Sequence, residues 1–186
     1  SINITQKPSD TVFDSNVTLA GNIDTNASVT IELNGNVVGE SKQDFTFDIT
    51  LEEGRNDIVL IVKAEDGRAT RKAFNFVYLT EYDMLVDAAF SRSNGDLVDG
   101  VPTYKTVEAA INAADETGTV IFIKNGRYYE KLTINKKNIS LLGEDSEKTV
   151  LYYDVAAGTK KEDGTTYGTS GSASVTINGS AQGFTA

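Results

Sequence analysis

"VIFIKNGRYYEKLTI", Val120 to Ile134, holds a β-branched run, an Asn-Gly pair, two adjacent tyrosines and a glutamate. An isolated hairpin accounts for the Asn-Gly pair but not for the recurrence of its flanking strands. "VIFI" at Val120 is answered by "ISLL" at Ile139, and "KLTI" at Lys131 by "VLYY" at Val150, each 19 residues on. Two strand types interleaved at one spacing are what a coil produces when each turn stacks its strands on those of the turn before. The spacing predicts a parallel β-solenoid, with Asn125-Gly126 and Gly143-Glu144 as corners between its faces.

Just upstream, "YKTVEAAINAADET" places Val107, Ala110, Ile111 and Ala114 at i, i+3, i+4 and i+7. That is one narrow apolar stripe of an amphipathic helix. Thr103 or Thr106 serves as its N-cap, and Gly118 as the stop after its last turn. Such a helix suits the open end of a solenoid, where a hydrophobic face and unpaired strand groups need cover. Before it come a short strand, Met84–Val86, and a polar loop.

The first eighty residues have a different texture. Val17, Leu19 and Ile23 keep period two, as do Val29, Ile31 and Leu33, and then Phe45, Phe47, Ile49 and Leu51. Asn34-Gly35, Gly54 and Asp66-Gly67 mark turns between these runs. "NDIVLIVKA", Asn56–Ala64, reads as a central strand. About seven short strands describe a two-sheet β-sandwich. The predicted division is residues 1–80 as the sandwich and residues 83–186 as the start of a β-helix, with a hinge at Thr80–Asp83. The sandwich is expected to be a spacer or packing module. Carbohydrate binding would need an exposed aromatic platform, and Phe13, Phe45, Phe47, Phe74 and Phe76 are assigned to the core instead.

Composition limits the chemistry. The chain of 186 residues has no cysteine and no histidine. That excludes disulfides, thiolate metal sites, imidazole zinc sites and any Ser-His-Asp triad within it. The net charge is −10, with no basic patch, so nucleic acid is a poor partner. No apolar run approaches the ~20 residues of a membrane helix, and membrane insertion is not expected. The start at Ser1 without methionine favours a trimmed product, and the acidic, cysteine-free composition leans toward a bacterial extracellular protein while also fitting many cytosolic ones.

The run "YKTVEAAINAADETGTVIFIKNGRYYEKLTINKKNISLLGEDSEKTVLYY" resembles the opening of a pectinesterase (pectin methylesterase). Gly126, Tyr128 and Glu130 match one family signature, and Asn138, Leu141, Gly143 and Glu144 another. "AAGTKKEDGTTYGTSGSASVTI" resembles a loop of the bacterial branch, with Gly168, Thr169 and Gly171 in place. The likeness runs over residues 83–186, with extra residues around Asp96–Val101 as a loop insertion. The segment over residues 10–79 resembles bacterial immunoglobulin-like modules. The resemblance implies an all-β chain: an immunoglobulin-like β-sandwich, then the first coils of a right-handed parallel β-helix with one capping α-helix. It also implies hydrolysis of galacturonate methyl esters in pectin, with no metal or cofactor. Two aspartates, a glutamine for the oxyanion and an arginine would perform it.

None of the motifs that carry those four groups occurs in this chain, so no catalytic residue is expected here and the chain alone is expected to be inactive. Asp145, Asp154 and Asp163 are read as solvated carboxylates. Gly126, Tyr128, Glu130, Gly143 and Glu144 are read as mainly structural: a corner glycine, a packed ring and a carboxylate ordering a turn. Thr169 and Ser170 are the expected substrate contacts, on the resemblance. The expected partner is methylated homogalacturonan, with self-association through the open end of the truncated helix. A glycan-binding surface protein is the alternative. So is a β-helix lyase, but no carboxylates group here at a calcium-site spacing.

Overall fold

Alternating apolar residues become two facing sheets in the first part of the chain. One orders β1 (Ile2–Gln6), β3 (Asn16–Ile23) and β6 (Phe45–Thr50). The other orders β2 (Thr11–Val12), β8 (Ala69–Tyr78), β7 (Gly54–Ala64), β4 (Ala27–Leu33) and β5 (Asn36–Lys42). The computed structural model describes residues 1–23 and 27–186. Two compact units emerge, Ser1–Glu81 and Tyr82–Ala186.

The sandwich core takes the predicted alternation. Leu19, Val29, Ile31, Ile58 and Leu60 are fully buried between the sheets. β7 lies in the middle of its sheet, as read from its apolar run. Asn34 and Gly35 both have positive φ, 51° and 83°, so the β4–β5 hairpin closes through the turn that Asn-Gly favours. Phe45 and Phe76 are buried, while Phe47 and Phe74 stack on them from the core margin. Phe13 departs from its core assignment. It is 46% exposed, just beyond the two-residue β2.

In the second unit, β9 (Met84–Val86), β12 (Thr119–Ile123) and β15 (Ile139–Gly143) pair in parallel. On the other side of β9 lies β11 (Val101–Tyr104), also parallel and hairpinned to β10 (Leu97–Val98). The stretch read as a loop insertion is this hairpin, turning at Asp99 and Gly100 with φ 50° and 82°. A second face pairs β13 (Gly126–Tyr129) with β16 (Thr149–Tyr152), and a third pairs β14 (Leu132–Ile134) with β17 (Val175–Ile177). These faces are coils of a parallel β-helix. Ile121, Leu132, Ile134 and Ile139 fill its interior at no more than 1% exposure.

The repeat differs from the one expected. "ISLL" does stack on "VIFI", but twenty residues apart, Thr119 to Ile139. "VLYY" stacks on "GRYY", not on "KLTI", with Gly126 opposite Thr149. "KLTI" instead receives "VTI", with Leu132 opposite Val175. Hydrogen bonding fixes strand against strand, whereas corner loops lie outside the ladder and vary in length. The β12–β13 corner has two residues and the β15–β16 corner five, so the spacing grows from 20 to 23. A long loop over 153–174 stretches it to 43 on the third face. Beyond β17 the chain returns to the first face, where Thr185 bridges Ser140.

The helix, α1 (Val107–Ala113), is shorter than the apolar stripe. Val107, Ala110, Ile111 and Ala114 are all buried against the coil, as predicted. Thr106, not Thr103, is the N-cap: its hydroxyl accepts from the Ala109 N–H at 3.2 Å. Ala114 already turns to extended backbone at ψ 143°, so Gly118 lies beyond the helix end. Among the described residues no helix is long and apolar enough to cross a membrane.

Candidate functional site

The signature residues gather where the first corner of the coil meets the helix. Glu130 follows β13 and reaches back to α1. Its two carboxylate oxygens accept the N–H groups of Val107 and Glu108, each at 2.9 Å. Those amides are orphans of the first helical turn, and the partial positive charge there favours an anion. Glu130 is therefore a helix cap delivered from the next coil, not a carboxylate ordering a turn. At the other end Lys136 Nζ donates to the carbonyls of Asn112 and Ala114, at 2.5 and 2.7 Å. Sequence reading missed Lys136. Its signal, a lysine in the "NKKN" corner, points nowhere until the coil brings it under the helix. Glu130→Ala should destabilise the unit by about 1–2 kcal/mol in thermal or urea unfolding, the cost of an unmade cap. Glu130→Gln should fall between it and the parent.

Glu144 and Gly143 build the corner above. The Glu144 N–H donates to the Ile123 carbonyl at 2.8 Å, and its carboxylate accepts the Asn125 N–H at 2.7 Å. One residue thus ties two successive corners. Gly126 sits against Ala88, where a Cβ would approach to 3.2 Å, and Gly143 against Thr149 at 3.3 Å.

Tyr128 turns inward from β13, is 3% exposed, and donates its hydroxyl to the Lys124 carbonyl at 2.8 Å. Burial pushes its phenol up to about 12. Beside it Lys124 pairs with Asp87 at 2.8 Å. Their hydrogen bond holds the Asp87 carboxyl below its ordinary value and the Lys124 ammonium above its own. The unfolded phenol ionises near pH 10 and the folded one near 12. Stability from burying neutral Tyr128 is therefore complete below pH 10 and lost as pH rises toward 12. Tyr128→Phe should flatten the alkaline limb of the stability curve over that window, at the cost of the Lys124 hydrogen bond.

Thr169 and Ser170 lie on the short helix α2 (Gly168–Ser172) within the long third-face loop. Both are exposed, and neither hydroxyl is hydrogen-bonded among the described residues. The loop itself is tied down. Gly168 N–H donates to Ala157 O at 2.9 Å, Tyr167 N–H to Thr159 O at 3.1 Å, and Lys131 Nζ to Gly171 O at 2.8 Å. Two hydroxyls on a braced, open segment suit contacts to a polyol.

The three aspartates separate. Asp163 is exposed and accepts the Thr165 hydroxyl and amide, which hold its carboxyl below the ordinary value. Asp154 is exposed and accepts the Tyr129 hydroxyl at 2.8 Å. Asp145 contradicts the solvated reading. It is 4% exposed and organises the five-residue corner, accepting the Glu147 N–H on its side chain and those of Lys148 and Thr149 on its carbonyl. No group of three or more carboxylates that could hold a metal ion occurs among the described residues.

A family model described as Pectinesterase matches residues 97–186, and one described as a Cadherin-like beta sandwich domain matches residues 4–78. Pectinesterase A of Dickeya dadantii (strain 3937) is 43% identical over 102 residues, covering 54% of this chain and 26% of that protein. Probable pectinesterase/pectinesterase inhibitor 17 of Arabidopsis thaliana is 44% identical over 54 residues, 28% of this chain and 11% of that protein. A pectin methylesterase structure in complex with hexasaccharide VII is 42% identical, covers 56% of this chain and 28% of that one, and has a TM-score of 0.48. The chain spans about a quarter of the length of the Dickeya relative. Residues 97–186 are thus similar to the pectinesterase family, and residues 4–78, which precede them, to a cadherin-like β-sandwich.

Proposed function

We propose that this chain is part of a secreted bacterial pectinesterase, which hydrolyses the methyl esters of galacturonate in pectin. The observation that carries this is the family match over residues 97–186, together with 43% identity to Pectinesterase A over 102 residues. Within this span the chain supplies the helix-capped end of the coil and one wall of the substrate path. Thr169 and Ser170, on the braced loop, contact the sugar chain. The nucleophile, its acid/base partner and the oxyanion donor belong to later coils, so the 186-residue chain binds but does not turn over. The sandwich acts as a spacer that folds independently of the coil.

The test is product analysis on the full-length protein with highly methylated pectin. A pectinesterase releases methanol and leaves the polymer length unchanged. Unsaturated chain ends would replace this reading with a lyase. Binding without any product would replace it with a glycan-binding surface protein.

A further inference from the structure

The outward face of the β13–β16 ladder carries groups that neither the core nor the corner uses. Along β13 the side chains alternate, with Tyr128 buried and Arg127 and Tyr129 exposed. Tyr129 lies opposite Tyr152 in the ladder, their ring centroids 5.2 Å apart, and 5.8 Å from the ring of Tyr153. Tyr129 is 53% exposed, yet its hydroxyl is held by Asp154, which fixes the ring in place. Cations border the rings. The Arg127 guanidinium stands 4.7 Å from the centre of Tyr152, and Lys131 Nζ 5.9 Å from that of Tyr153. Arg127 makes no ion pair among the described residues. In a chain of net charge −10, an aromatic strip bordered by two cations on one sheet face is a local reversal of sign.

We propose that this strip binds a run of de-esterified galacturonate, the product of the proposed reaction, on which reading the identity of the sugar rests. A pyranose presents an apolar C–H face to a tyrosine ring, and an exposed ring already held in position loses little entropy on binding. Each free galacturonate adds one carboxylate, which Arg127 can take through two parallel N–H donors. A methyl ester removes that charge. Asp154 opposes an incoming carboxylate, but its charge is engaged by the Tyr129 hydroxyl. Lys131 joins the strip to the substrate loop, since the same ammonium donates to Gly171 O two residues from Thr169. The strip therefore continues the path of the polymer and retains the stretch already processed.

Calorimetric titration of the 186-residue chain with a fully de-esterified galacturonate hexamer, and with its fully methylated counterpart, tests this. The free acid should bind more tightly, and added salt should weaken it. Arg127→Gln should lower affinity about tenfold, the effect of losing a charge-assisted hydrogen bond, with Arg127→Lys intermediate. Tyr129→Ala, at an exposed position that leaves the core intact, should lower it comparably. Equal affinity for the two hexamers, or variants that bind like the parent, would overturn the proposal. Failure of the pectinesterase reading shows elsewhere, as absence of methanol release by the full-length protein, and leaves a positive titration standing.

Discussion

Truncating Ile121 to alanine is expected to lower the stability of the Tyr82–Ala186 unit by about 3–4 kcal/mol, the usual cost of a large-to-small change in a closed core. Ile121 is 0% exposed and sits midway in the first face, opposite Met84 on one side and Leu141 on the other. The backbone ladder on both flanks prevents the site from collapsing around the missing atoms. Total stability of a unit this size is about 5–15 kcal/mol, so the loss is a large share of it. Urea unfolding read by near-ultraviolet circular dichroism should show it as a shifted midpoint with unchanged slope. A loss under about 1 kcal/mol would place Ile121 outside a packed interior.

Gly21→Ala should cost the sandwich about 2–3 kcal/mol, through overpacking. Gly21 is paired with Phe45 on one side and Ile4 on the other. A Cβ there would lie 2.7 Å from Phe45 Cζ and closer still to the backbone carbonyl of Asn3. The ring could swing aside; the carbonyl is fixed by the β1–β3 ladder. Because we propose that the two units fold independently, this substitution should lower one unfolding transition and leave the other in place. Ile121→Ala should do the converse. Differential scanning calorimetry of both variants separates the outcomes, and a single transition displaced by both would contradict independent folding.

The sandwich was legible because its information is local. Period-two burial from Val17 to Leu51 and the Asn34-Gly35 turn follow from backbone geometry alone. The coil was legible as a class and misread in register. "KLTI" and "VLYY" are alike in pattern, but stacking depends on corner lengths, and a long loop between β16 and β17 carries no strand signal. Glu130, Lys136 and Asp145 lay beyond sequence reading for a related reason. Each acts on a partner chosen by the coil: two amides at 22 and 23 residues for Glu130, two carbonyls at 22 and 24 for Lys136, a buried corner for Asp145. Thr169 and Ser170 drew on a resemblance, and the structure adds their exposed, braced setting.

Catalysis sets the sharpest test. Ester hydrolysis needs a nucleophile, a proton donor and an oxyanion stabiliser held together, and oxyanion donors alone contribute ~10²–10³ in rate. This chain has no histidine or cysteine to assemble a substitute. The direct measurement is methanol release from highly methylated pectin, with a chelator present, by the 186-residue chain and by the full-length protein side by side. The expected result is steady release by the full-length protein and none by the short chain. Turnover by the short chain would place the active site within these coils, and an inert full-length protein would remove the esterase assignment itself.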